Sequence, residues 1–104
     1  ANDGGSGVAL LMELGHHMKG LKLNVGVDFV FFDGEEYIHD PSEDESYYFL
    51  GSRHFAREYA KIRKTTKYTG AILLDMIAGK GAEFPMEQNS VIHASKLVRE
   101  VWDI

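Results

Sequence analysis

The sequence predicts an α/β fold, a three-layer α/β/α sandwich with a mainly parallel, mixed central sheet. Segments with apolar residues at helical spacing alternate along the chain with short runs of β-branched and aromatic residues, in the order helix, strand, helix, strand, helix. This alternation is typical of parallel strands joined by right-handed crossovers. Because such a sheet usually has more than two strands, we expect the sheet of this chain to be incomplete.

Three segments carry the helical pattern. Residues 8–18 are almost continuously apolar and follow a glycine-rich run, which predicts a buried helix that ends near Gly20. A second helix is predicted from Ser52 and a third from Ser90, because apolar residues recur every three or four positions in both. The residues that form these two patterns are Phe55, Tyr59 and Ile62, and Ala94, Leu97, Val98 and Val101.

Two segments carry the strand pattern. Residues 25–32 are rich in valine and phenylalanine and stop at Asp33 and Gly34, which is typical of a central strand. Residues 71–77 form a second short apolar run and predict a strand that is covered on both faces. The acidic segment 40–46 has no apolar periodicity and is predicted to be a surface loop.

Composition narrows the class of protein. The chain has 104 residues, of which 44% are hydrophobic and 26% are charged, and this predicts one domain with a modest core. Its net charge of -5 disfavours nucleic acid as a partner, because binding to phosphates needs a basic surplus. The lack of cysteine excludes disulfides and cysteine zinc sites. No apolar run approaches the roughly 20 residues that a membrane span needs.

Candidate catalytic residues lie where the predicted strands end. Asp33, Glu35 and Glu36 follow the first strand, and Asp75 lies within the second. Ligands of an open α/β sheet bind beyond the carboxyl ends of its strands, so we expect these acids to face one site. A carboxylate in a buried strand needs a cation or hydrogen-bond donors. For Asp75 the alternative is a structural role, with donors from a loop or an arginine.

Carboxylates grouped in this way suit metal-assisted hydrolysis. Zn²⁺ accepts carboxylate ligands, and a neighbouring glutamate can take a proton from the attacking water. The alternative for Glu35 and Glu36 is that both are solvated turn residues. Asp3, just before the first predicted helix, is a further candidate, and its alternative is a helix N-cap or turn aspartate. The glycine spacing around it fits neither of the common phosphate-binding patterns.

Four short motifs follow one another along the chain. They are Asn2-Asp3-Gly4-Gly5-Ser6-Gly7-Val8, Phe31-Phe32-Asp33-Gly34-Glu35-Glu36, Gly51-Ser52-Arg53 and Leu73-Leu74-Asp75-Met76-Ile77. Each is weak alone, but together and in this order the motifs resemble those of the zinc aminopeptidases of metallopeptidase family 28 (clan MH). That family also contains the glutaminyl cyclases.

The resemblance implies roles for four acids. Asp3 would bridge two zinc ions, Glu36 would bind one of these ions and Asp75 the other, and Glu35 would be the general base. The implied activity is hydrolysis of the N-terminal peptide bond of peptides or proteins by a metal-activated water. The resemblance also suggests a secreted or periplasmic location.

The histidines depart from the family pattern. Enzymes of this family also use a histidine upstream of the bridging aspartate and another far downstream. None of the five histidines of this chain lies at either place, and these are His16, His17, His39, His54 and His93. We therefore expect residues 1–104 to be a single partial catalytic domain, the central fragment of a larger enzyme, and to be inactive alone. Self-association is one way in which such a fragment could complete its fold.

Two alternative functions stay open. One is a glutaminyl-peptide cyclotransferase of the same fold, to which the segment 37–50 and the Phe84-Pro85 pair are similar. Such cyclases commonly carry a tryptophan soon after the glutamate pair, whereas the only tryptophan here is Trp102. The other is a non-catalytic relative that acts as a binding domain, and the presence of all four acids argues against it.

Overall fold

The computed structural model describes residues 2–36 and 48–104. In these parts of the chain the regular elements are helical. They are α1 (Gly4–His17), a 3₁₀ turn (Met18–Gly20), α2 (Leu50–Ile62), α3 (Gln88–His93) and α4 (Ser95–Trp102). The predicted acidic loop 40–46 and His39 lie outside the described residues.

The chain divides into two compact units, which we describe separately. The first unit consists of Ala1–His16 and Thr69–Ile104, and the second consists of His17–Tyr68. Helices α3 and α4 and nearly all of α1 belong to the first unit, and α2 belongs to the second.

The prediction of an α/β/α sandwich is wrong for the described residues, which contain no strand and no sheet. Residues 25–32 and 71–77 are both irregular. A strand is stable only when its backbone N–H and C=O groups pair with a neighbouring strand, and the two segments fall in different units. Apolar patterning indicated a preference for burial, but it could not supply the partner strand. Leu73, in the second segment, is 80% exposed as a result.

The first helix was predicted at nearly the correct place, but the prediction that it is buried is wrong. Helix α1 begins at Gly4, four residues before the predicted start, and the 3₁₀ turn that follows it ends at Gly20 as predicted. Only Ser6 and Gly7 are buried in α1, and Met12 is 67% exposed. Leucine, methionine and alanine favour a helix by their intrinsic propensity, whatever covers them.

The third predicted helix is divided into two helices, α3 and α4. Ala94 lies between α3 and α4 with φ of -138° and ψ of 36°, which is outside the helical region. Val98 in α4 is 7% exposed and is the one buried apolar side chain among the described residues. At the end of α4, Nε1 of Trp102 donates a hydrogen bond to the carbonyl oxygen of Phe84 at 2.8 Å.

Helix α2 confirms the second predicted helix and carries an aromatic cluster. The ring of Phe55 lies edge-on to that of Phe32, with centroids 5.6 Å apart. Tyr68 lies 5.0 Å from Tyr59 and 6.1 Å from Phe55 between ring centroids, and its hydroxyl donates a hydrogen bond to the carboxylate of Asp28. Aromatic pairs at such distances contribute beyond the area that they bury, so this cluster stabilises the packing of α2 in the second unit.

No helix in residues 2–36 and 48–104 has both the length and the apolar character needed to cross a bilayer.

Candidate functional site

Asp3 lies in a turn immediately before α1 and is exposed. A side chain from the first turn of α1 stabilises this turn. The hydroxyl of the buried Ser6 donates to the carbonyl oxygen of Asn2 and lies 3.5 Å from the carbonyl oxygen of Asp3. Back-bonding of a serine to a carbonyl three or four residues earlier is a common local motif. The arrangement presents the Asp3 side chain at the surface of the first unit.

The same turn is bonded to the segment that carries Asp75. The backbone N–H of Ile77 donates to Oγ of Ser6 at 3.1 Å, and the backbone N–H of Ala78 donates to Oδ1 of Asn2 at 2.8 Å. These two bonds join positions 71 and 76 residues apart in the sequence. The structure therefore brings the backbone regions around Asp3 and Asp75 together.

The backbone on the other side of Asp75 also meets α1. A β-carbon built on Gly7 would lie 2.7 Å from the carbonyl oxygen of Leu74, which is closer than real β-carbons come. Gly7 is thus the point at which α1 touches the Asp75 segment. Between these two contacts, Met76 adopts φ of 47°, a left-handed conformation that costs energy for a side-chain-bearing residue.

Asp75 is exposed, and this corrects the prediction that it lies in a buried strand. Because the segment has no partner strand, its carboxylate stays in contact with solvent and carries no desolvation penalty that a cation must relieve. The burial argument for a metal ligand at this position therefore fails.

Glu35 and Glu36 lie in the second unit, in a bend that α2 holds in place. Three consecutive backbone N–H groups donate to this bend: Phe49 to Glu35, Leu50 to Gly34 and Gly51 to Asp33, at 2.9 to 3.0 Å. Gly34 has φ of 64°, which favours glycine. These bonds hold the backbone of residues 33–35, and both glutamates are exposed.

Asp33 has a local role in this bend. Its Oδ1 accepts a hydrogen bond from the backbone N–H of Gly34 at 2.8 Å, which is the usual way in which aspartate stabilises a turn. Asp33 was expected to face the same site as the other acids. In the structure its carboxylate stabilises the turn that precedes the glutamate pair.

The four predicted site residues are divided between the two units. Asp3 and Asp75 belong to the first, and Glu35 and Glu36 belong to the second. Exposed carboxylates fit zinc in donor type. Within the described parts of the chain no group of three or more histidine, aspartate or glutamate side chains is placed to hold a metal ion. Neither unit alone therefore presents a full ligand set there.

The described histidines lie at helix ends and on helix surfaces. His16 and His17 end α1 and His54 lies in α2, as predicted, whereas His93 lies at the end of α3 and not at a helix start. A shallow depression on α1 is lined by Ala9, Met12, Glu13 and His16. None of the four predicted site residues lines it.

Sequence reasoning missed the residues that support the site. Asn2 and Ser6 were noted only as part of a motif, and the glycine run was interpreted as the entry to a helix after phosphate binding had been rejected. A serine inside a helix has a local signal, since it tends to bond to the backbone. No pattern in the sequence indicates that its second partner lies at Ile77.

Comparison with known proteins supplies the family. The sequence model of Peptidase family M28 matches residues 1–103, which is nearly the whole chain. No match was found among curated proteins or among solved structures. The match covers all four motifs on which the resemblance was based, and the chain accordingly belongs to Peptidase family M28.

Proposed function

We propose that this protein is a zinc-dependent aminopeptidase that hydrolyses the N-terminal peptide bond of peptides or proteins. Membership of Peptidase family M28 supports peptide hydrolysis as the class of reaction. One structural observation carries the proposal further: Asn2 and Ser6, on either side of Asp3, accept the N–H groups of the residues that follow Asp75. The segments that carry two of the three proposed metal ligands are thereby joined by side-chain-to-backbone hydrogen bonds.

Asp3, Glu36 and Asp75 are the proposed zinc ligands. Each is exposed in its unit, and each offers carboxylate oxygens, which zinc accepts. When bound, zinc polarises a carbonyl group and makes water a better nucleophile at neutral pH. Asp3 and Asp75 stand on the turn and segment joined by Ser6, and Glu36 stands on the bend that the start of α2 holds.

Glu35 is the proposed general base. It takes a proton from the attacking water as the new C–O bond forms, and it then passes that proton to the leaving amine as the peptide C–N bond breaks. Its neighbour in the sequence, Glu36, is a ligand, and the bend at residues 34–36 lets adjacent side chains take different roles. The backbone bonds from Phe49 and Leu50 fix the segment from which both carboxylates project.

The experiment that tests this proposal uses the intact protein with zinc and a peptide that begins with glutamine. Loss of the whole first residue, measured by mass spectrometry, is the expected result. Loss of ammonia alone would identify a glutaminyl cyclase, and an unchanged peptide would favour a binding protein without catalytic activity. Either of these two results overturns the aminopeptidase proposal.

Variants separate the proposed roles. Glu35→Gln should lower turnover by roughly 10²–10⁴-fold, as expected for loss of a general base, while zinc stays bound. Asp3→Asn should weaken zinc binding itself. Glu100→Gln is the matched control, because this glutamate lies on the exposed surface of α4, and it should leave both turnover and zinc affinity unchanged. Full activity of the Glu35→Gln variant would exclude the proposed mechanism.

A further inference from the structure

We propose that the basic surface formed by α2 and the turn after it binds an acidic segment of another protein. We call this surface the basic patch, and its members are Arg53, Arg57, Lys61, Arg63, Lys64 and Lys67. Residues 53–67 hold six of the eleven lysine and arginine residues of the chain and only one acid, Glu58, although the net charge of the chain is -5. The basic patch contains none of the proposed zinc ligands, so its role is independent of the peptidase activity.

The helical part of the basic patch lies on the side of α2 that faces away from the aromatic cluster. Arg53, Arg57 and Lys61 recur every four residues in α2, which places them on one face of the helix. Phe55 and Tyr59 lie on roughly the opposite face, where their rings pack within the aromatic cluster. All three cations are exposed. Internal packing therefore uses one face of α2 and leaves the basic face accessible.

The turn after α2 adds the remaining cations and is bonded to the helix. The backbone N–H groups of Thr65 and Thr66 both donate to the carbonyl oxygen of Ile62 at 2.9 Å. A few residues later, the N–H of Tyr68 donates to the hydroxyl of Tyr59 at 3.2 Å. The backbone of the turn is thus held beside the end of α2 at two points, and this keeps its cations next to the helical ones.

Most cations of the basic patch have no acidic partner in the described parts of the chain. Glu58 pairs with Lys61, with 2.5 Å between the carboxylate and Nζ. The cations that make no ion pair with residues 2–36 or 48–104 are Arg57, Arg63, Lys64 and Lys67. Like charges one turn apart on a helix destabilise it. A bound anionic segment would therefore relieve repulsion within the patch.

The helix dipole accounts for only part of this charge distribution. Cations at the C-terminal end of a helix, such as Lys61 and Arg63, interact favourably with its dipole. Arg53 lies near the start of α2, where a cation is unfavourable for the same reason. The basic residues therefore extend along most of α2 and are not confined to the end at which they would stabilise it.

Membranes and nucleic acids fit this surface less well than an acidic protein segment. A basic helix that lies on a membrane inserts its apolar face, whereas the rings of Phe55 and Tyr59 are engaged in the aromatic cluster. Single-stranded nucleic acids are bound partly by bases that stack on aromatic rings, and these same rings pack on one another. The net charge of -5 also repels a long phosphate backbone beyond the patch.

A short carboxylate-bearing segment matches the basic patch in charge and in length. Arginine pairs with a carboxylate through two parallel hydrogen bonds, which makes this contact stronger than one between neutral groups. The 13 residues of α2 span about 20 Å, the length of roughly six residues of extended peptide. A segment of that length contacts the patch without reaching the acidic remainder of the chain.

The test measures binding of an acidic peptide to the full 104-residue chain by fluorescence anisotropy. The probe is a peptide of alternating glutamate and glycine whose N-terminus is blocked by the fluorophore, so that an aminopeptidase could not shorten it. The variant is Arg57→Gln/Lys64→Gln. The matched control is Lys96→Gln/Arg99→Gln, because these residues are exposed on α4 and their loss changes the net charge equally. Circular dichroism verifies that both double variants keep their helix content.

The unsubstituted chain should bind the peptide at low salt and lose affinity as salt is added, because salt screens exposed charges. Arg57→Gln/Lys64→Gln should raise the dissociation constant about 2–30-fold, since each exposed ion pair contributes about 1.4–5-fold. The control should match the unsubstituted chain. No binding by the unsubstituted chain, or an equal loss in both double variants, would overturn the proposal.

Two further probes test the class of partner. They are a labelled thymidine oligonucleotide and vesicles that contain phosphatidylserine, each measured against the same two double variants. The acidic peptide should bind more tightly than either of them. Tighter binding of the oligonucleotide or of the vesicles, with loss in Arg57→Gln/Lys64→Gln alone, would assign the basic patch to that partner and overturn its assignment to an acidic protein segment.

Discussion

Gly51 lies directly against the backbone of Asp33. A β-carbon built on Gly51 would lie 2.5 Å from the carbonyl oxygen of Asp33 and 2.8 Å from its amide nitrogen. Both atoms belong to the backbone, so neither can move aside as the end of a flexible side chain could. The N–H of Gly51 also donates to that carbonyl at 2.9 Å. The start of α2 therefore packs directly against the segment that leads to Glu35 and Glu36.

Gly51→Ala should destabilise the protein by about 1–3 kcal/mol, the usual cost of overpacking. The added methyl group forces α2 away from Asp33 and strains the three backbone bonds to the bend. Gly26→Ala is the control, because nothing lies within 4 Å of its β-carbon position. It should be neutral or stabilising by about 0.4–1 kcal/mol. Urea unfolding of both variants measures the difference, and equal midpoints would contradict the seating of α2 on Asp33.

Two glycines of α1 should respond to alanine with opposite signs. Gly7→Ala places a methyl group 2.7 Å from the carbonyl oxygen of Leu74 and should cost about 1–3 kcal/mol. Gly15→Ala meets nothing within 4 Å and should stabilise the helix by roughly 0.5–1 kcal/mol. Thermal unfolding of the two variants compares the same substitution in one helix. A stabilised Gly7→Ala variant would show that α1 does not contact the Asp75 segment.

The sequence predicted the helices better than the rest of the fold, for a physical reason. A helix closes its hydrogen bonds within its own segment, so the local patterns at 52–62 and 90–101 were enough to locate α2 and the helical region that contains α3 and α4. A strand depends on a partner that may lie far away in the sequence. The apolar runs at 25–32 and 71–77 therefore indicated strands that the described residues do not pair.

The break at Ala94 shows a second limit of local patterns. The apolar positions Leu97, Val98 and Val101 continue the spacing that begins at Ser90, so the sequence predicts a single helix. Ala94 favours a helix by its propensity, and nothing in the sequence marks it as the point where α3 ends and α4 begins. Propensity is a weak prior that tertiary contacts override.

For the candidate site, the sequence identified candidate residues by their type, but it did not predict the environments of their side chains. Asp75 was selected because a carboxylate in a buried strand needs a partner, yet the structure leaves it exposed. The contacts that join its segment to the turn of Asp3 come from Ser6 and Asn2, and they cross more than 70 residues of sequence. Such long-range bonds leave no trace in local spacing.

Helix α3 should lose stability in acid because of its N-cap. Hydrogen bonds from the backbone N–H of Asn89, then from the N–H and the hydroxyl of Ser90, lower the pKa of Glu87. A lowered pKa in the folded state means that the stabilising contribution is present above the unfolded pKa, near 4.3, and is lost as pH falls through the folded value.

The Glu87→Gln variant tests this contribution. The difference in thermal midpoint between the unsubstituted chain and this variant should be largest near neutral pH and should shrink as the pH falls below about 5. Ser90→Ala removes only the hydroxyl donor and should give a smaller difference with the same trend. A difference that stays constant across this range would show that the Glu87 carboxylate does not cap α3.

The bond between Tyr68 and Asp28 should make the second unit sensitive to alkali. The hydrogen bond that the phenol donates to the carboxylate raises the pKa of Tyr68 above its ordinary value. The contribution of the bond is therefore fully present below the unfolded pKa, near 10, and is lost as pH rises through the folded value. Tyr68→Phe keeps the ring that packs against Tyr59 and removes only the hydroxyl. The urea midpoint of this variant should lie below that of the unsubstituted chain at pH 8, and the gap should close as pH rises above about 10. Asp28→Asn supplies the independent check, because removal of the carboxylate should return the pKa of Tyr68 toward its ordinary value in an absorbance titration. A Tyr68 titration that is identical in the Asp28→Asn variant would show that the carboxylate is not the acceptor.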